Sequence, residues 1–223
     1  MIRPRDDKQS GANIVDSMRV ALQHVTSEVP SSNLEKSSEP MTRWRELATH
    51  ASRDAAGLAE GWDLPRGDIH LVAALDVFQK IWLRQARFVA DVFAAAGRSD
   101  LLNTQILTYC LFRHAATPMF RDMVSRLDRG SVIELVSEQA WTHRLDRIAA
   151  RILMRMRGRV LARSLSAYSS VGLPAFAYFE TCLVAKSAME LLIDRITVIT
   201  AARKGRQTQG THSKSPAPSG IFL

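Results

Sequence analysis

Cysteine is nearly missing from this chain of 223 residues: Cys110 and Cys182 are the two it has. They stand far apart and in no metal-like spacing, which excludes a disulfide framework and a cysteine zinc site. Both fall on apolar stretches, so buried free thiols are expected. Long uncharged runs are missing too. The longest, Ser164 to Phe179, is short for a bilayer and is broken by Gly172 and Pro174, so no transmembrane helix is expected. No apolar stretch comes after the charged N-terminus as a secretory signal requires, and cytoplasm is the expected location. No glycine-rich phosphate loop or nucleophile elbow is present. The Glu-x-x-His pairs of a di-iron bundle are also missing, since Glu46 and His50 are four apart and Glu138 and His143 five. The six histidines (His24, His50, His70, His114, His143, His212) are scattered, which reads as surface or locally bonded imidazoles. No residue is assigned a catalytic or metal-binding role, and no cofactor is implied.

Sustained alternation of apolar and polar residues is missing as well, which removes the strand reading and leaves an all-α chain. Long amphipathic helices forming a bundle or coiled-coil-like hairpins, with disordered termini, are the expected architecture. Residues 1–40 are polar, Ser-rich and broken by Pro30 and Pro40. They are expected to be mostly disordered, apart from a short amphipathic piece in which Ile14, Val15, Met18, Leu22 and Val25 share a face. Residues 41–203 form the expected helical domain. Residues 204–223 hold breakers and no acid, and read as a disordered basic tail.

Within the helical domain, Met41 to Gly61 reads as a modest helix with a loop after it. The strongest pattern runs from Leu71 to Ala96. Phe78, Ile81, Trp82, Phe88, Val89 and Phe93 recur at steps of three and four, as one face of an α-helix requires. Gln85 falls on the seam of that face. A buried glutamine needs partners, so a neighbouring helix or a partly wet interface between chains must supply them. Self-association is expected on this ground. Gly97 suits the position just past the helix end, and Ser99 or Asp100 can cap the next helix. That helix is expected to kink at Pro118. Ser131 with Glu134, and Ser187 with Glu190, have capping-box spacing; the second implies a helix end or bend inside Leu183–Leu192.

Charge is divided unevenly. The net charge is +8, but from Trp141 onward it is +9, against −1 for the remainder. Arg144, Arg147, Arg151, Arg155, Arg159 and Arg163 recur at three- and four-residue steps and form one stripe if the helix survives Gly158. Such a stripe is a solvated helix face, an interfacial helix on an anionic surface, or a set of phosphate contacts to nucleic acid. Aromatic residues of the kind that stack on bases do not interleave with it.

The Leu71–Ala96 helix and the turn after it resemble the phasins, bacterial proteins that coat polyhydroxyalkanoate storage granules. Phe78, Trp82, Gln85, Phe88 and Phe93 lead into Ala94-Ala95-Ala96-Gly97. Arg98-Ser99-Asp100-Leu101-Leu102 and Gln105 come next. Val184 to Leu192 is similar to a second copy, with Lys186-Ser187 and Glu190-Leu191. The likeness covers residues from about 70 to 110 and from about 175 to 200. It implies a non-enzymatic coat protein at the granule surface, adsorbing through Phe78, Ile81, Trp82, Phe88, Val89 and Phe93. The alternative is a helical adaptor that binds nucleic acid or a protein partner through the Arg-rich helix.

Overall fold

A computed structural model of the protein describes residues 6–62, 68–115, 138–157 and 172–209. Among them there are helices and turns and no strand. In chain order the elements are α1 (Asp6–Ser27), α2 (Pro40–Leu58), α3 (Asp68–Ala95), a short 3-10 turn (Ser99–Leu101), α4 (residues 104–115), α5 (Glu138–Arg157) and α6 (Gly172–Gln209). The expected Pro118 kink, the Ser131–Glu134 capping box, Arg159 and Arg163 lie outside the described residues.

α3 lies at the centre because its apolar residues reach almost around it. Phe78, Ile81, Trp82, Phe88, Val89 and Phe93 are all buried, and so are Val77, Ala86 and Val92 beside them. α1 and α2 pack on it from the N-terminal side of the chain, and α6 packs on both α3 and α2. Small residues on α2 (Ala51, Ser52, Ala55) let α6 approach closely. α5 sits outermost against α1, burying Leu145, Ile148, Ala149, Ile152 and Leu153. Rings tie three helices together. Phe78 stacks on Trp82 at 5.9 Å, Phe176 of α6 meets Phe78 edge-on at 6.0 Å, and Phe112 of α4 meets Trp82 edge-on at 5.6 Å. Each large side chain fully buried this way is worth about 1.5–3 kcal/mol.

The N-terminal segment departs from expectation. α1 is a full helix of 22 residues, and Ile14, Met18, Leu22 and Val25 are core residues. The short amphipathic piece was legible, but its apolar face has a partner, so ordering it offsets the entropy cost of fixing the chain. The stretch after α1 is tied down as well: the Ser32 hydroxyl donates to Asp91 at 2.6 Å, and the Ser37 amide donates to the Ala95 carbonyl at 2.9 Å. Residues 14–40 therefore belong to the bundle. At the other end α6 continues to Gln209, past the expected start of the tail, and residues 210–223 lie outside the described residues.

Helix ends are fixed by local chemistry. Gly97 has φ +66°, the Arg98 amide donates to Phe93 O at 2.8 Å and the Gly97 amide to Ala94 O at 2.7 Å, which together close α3 as a Schellman motif. The cap of α4 is Asn103, not Ser99 or Asp100. Its Oδ1 accepts from the Gln105 and Ile106 amides, each at 3.0 Å, while Ser99 and Asp100 are used up in the 3-10 turn. Ser187 begins no helix. α6 passes straight through it, and the buried hydroxyl donates back to the Leu183 carbonyl at 3.0 Å. A side chain with that internal acceptor leaves the backbone ladder intact, so capping spacing alone did not break the helix.

Candidate functional site

The seam glutamine of α3 finds its partner inside the bundle. Gln85 is buried, and its Nε2 donates to Thr181 Oγ1 on α6 at 2.9 Å; that hydroxyl in turn donates to Ala177 O at 2.8 Å. The relay places a polar layer inside an aromatic core and sets the register of α3 against α6. The partner Gln85 needs lies in its own chain, so the glutamine no longer calls for a second one.

All six residues expected to form an adsorbing face, Phe78, Ile81, Trp82, Phe88, Val89 and Phe93, line the interior. The periodicity was right, but the face is turned inward. In this closed form it offers no surface to a granule, because α1, α2, α4 and α6 already cover it.

Sequence reading missed a set of charged contacts where α4 meets α6. His114 Nε2 donates to the Glu180 carboxylate, and the Arg113 guanidinium donates to that of Glu190. The His114 and Glu180 side chains are largely buried, and His114 Nδ1 has no hydrogen-bond partner among the described residues. Arg113 also lies over the Tyr109 ring, 5.5 Å from its centre. No local spacing could reveal these pairs, since their members are 66 and 77 residues apart. Glu190, read as half of a capping box, is a cross-helix anchor. A His–carboxylate pair can serve as a general base only where a substrate reaches it. The described cavity lies elsewhere, about 560 Å³ between the end of α1 and α3, with His24, Glu28, Leu83 and Arg87 among its walls. Among the described residues no cluster of three or more His, Cys, Asp or Glu could hold a metal ion, and no helix is long and apolar enough to cross a membrane.

The two thiols differ. Cys110 is fully buried, and burial pushes its thiol well above the ordinary value of 9.0, with Arg113 opposing the shift weakly. Cys182, expected in the core, is exposed, because Thr181, Val184 and Ala185 take the inward positions on that turn of α6. Its Sγ lies 3.5 Å from Ser52 Oγ.

The arginine stripe divides by position. Arg147 and Arg151 are exposed on α5, and Arg144 is half-buried beside them. The side chain of Arg155 lies outside the described residues. Asp146, the one acid in this stretch of the stripe, points sideways to Arg19 of α1 at 3.3 Å. No known protein family, curated protein or solved structure matches the chain.

Proposed function

We propose that this protein is a non-enzymatic amphipathic bundle that coats an apolar particle by opening onto it. The resemblance to phasins makes a polyhydroxyalkanoate storage granule in the cytoplasm the particle of choice. One observation supports the reading most: the face of α3 from Phe78 to Phe93 is the core, and its covering helices are fastened at their edges by ion pairs. Arg84 of α3 donates to Asp54 of α2 at 2.7 Å, Arg113 pairs with Glu190, and Arg19 with Asp146. Both cysteines are free, so no disulfide locks those helices shut. Exposed or half-exposed pairs of this kind contribute about 0–1 kcal/mol each. Opening trades helix-on-helix burial for helix-on-polymer burial of the same side chains at about 25 cal/mol per Å² on either side. The apolar area gained on a granule then offsets most of what the core loses. Between the two states the uncovered faces favour self-association, which is the expected route to oligomers.

Mixing the purified protein with polyhydroxyalkanoate particles tests this. Trp44 and Trp82 are 1% and 7% exposed, so their fluorescence, read with Trp62 and Trp141 replaced by phenylalanine, reports on opening. Sedimentation with the particles, with helicity kept and near-ultraviolet dichroism lost, is the expected result. Protein that stays in the supernatant at every particle concentration would sink the proposal. A double variant, Gln85→Leu with Thr181→Val, sharpens the test. It replaces both members of a buried polar pair by apolar groups, which leaves the closed bundle as stable or more so, and it should slow adsorption.

A further inference from the structure

We infer that the outer face of α5 is a docking surface for an anionic lipid layer. α5 is two-sided. Leu145, Ile148, Ala149, Ile152 and Leu153 are buried. On the opposite side, within a narrow arc at 100° per residue, stand Arg147, Arg151 and Met154, with Arg144 at its edge. Arg144, Arg147 and Arg151 make no ion pair among the described residues, and Asp146 is turned away to Arg19. Three guanidiniums with no carboxylate paired to them among the described residues form a positive ridge, and the surface that complements it carries dense negative charge.

Met154 selects among anionic partners. It is 58% exposed, more than any other large apolar side chain described, and it sits one turn beyond Arg151. A lipid layer offers a partner to both kinds of side chain on this face: the guanidiniums meet headgroups, and the single apolar group enters the acyl boundary. Nucleic acid would meet the guanidiniums through its phosphates and guanine edges, but it would leave the exposed Met154 without an apolar partner. Binding of this kind is peripheral and reversible, since each arginine near an anionic leaflet strengthens it about five-fold, and three together on the order of a hundred-fold.

The test uses the full chain and sedimentation with vesicles of equimolar phosphatidylserine and phosphatidylcholine, beside vesicles of phosphatidylcholine alone. Wild type should pellet with the anionic vesicles only, and added salt should release it. Arg144→Gln/Arg147→Gln/Arg151→Gln should weaken binding on the order of a hundred-fold while thermal unfolding stays near wild type. Met154→Ser should weaken it further. The control Arg45→Gln/Arg53→Gln/Arg87→Gln removes equal charge from exposed positions elsewhere and should bind nearly as wild type does. Equal loss in both triple variants would show attraction by bulk charge and overturn the proposal. So would wild type that ignores the vesicles yet binds duplex DNA through the same arginines.

Discussion

Gln85 and Thr181 are 96 residues apart, yet each is in the core because of the other. Removing only the amide, in Gln85→Ala, leaves a cavity beside Thr181 and should cost about 2–4 kcal/mol, read as a lower urea midpoint. The Gln85→Leu/Thr181→Val pair should cost close to nothing. Equal destabilisation by both would mean that packing, not the hydrogen bond, decides the site. The need of Gln85 for a partner was legible in the sequence because it stands on an apolar seam. The partner was not, since no periodicity reaches across 96 residues. The same holds for His114 with Glu180. Cys110 gives a separate prediction from its burial. Its folded thiol stays protonated where an unfolded one ionises, so unfolding releases a proton above about pH 9. Stability from this group is therefore complete below that pH and falls as pH rises through 9 and 10, by about 1.4 kcal/mol per unit. Cys110→Ala should flatten that alkaline slope while lowering stability at neutral pH. In the native protein a thiol reagent should modify Cys182 quickly and Cys110 only on unfolding.

At the scale of elements, apolar spacing carried most of the information. Steps of three and four fixed α3 from Ala74 onward, and the face of α1 was visible in Ile14, Met18, Leu22 and Val25. What spacing could not fix was which side of a helix meets protein. A stripe wide enough to lie on a granule is also wide enough to be wrapped by four helices. End signals were mixed for a comparable reason. Gly97 stops α3 because a positive φ is needed there, whereas Ser187 stops nothing because its hydroxyl is satisfied inside the helix. Gly97→Ala should cost about 1–2 kcal/mol, since alanine is strained at φ +66° and its Cβ would press on the Lys36 side chain at 2.7 Å. Asn103→Ala should remove the α4 cap at about 0.5–2 kcal/mol. Chemical denaturation reads both, and Ser187→Ala is the control expected to change little.

At the scale of the whole molecule, the order in which the helices are made differs from the order in which they are covered. α1 leaves the ribosome before α5, yet α5 is one of the helices that cover it, with sealing residues that run to Leu153. At ordinary rates of synthesis the interval between Leu22 and Leu153 is on the order of ten seconds. Throughout it the side of α1 that α5 will cover lacks that partner. We predict that a nascent chain of this design binds cotranslational chaperones in that interval. Slowing translation between α1 and α5 should lower the yield of soluble protein more than slowing it after α6.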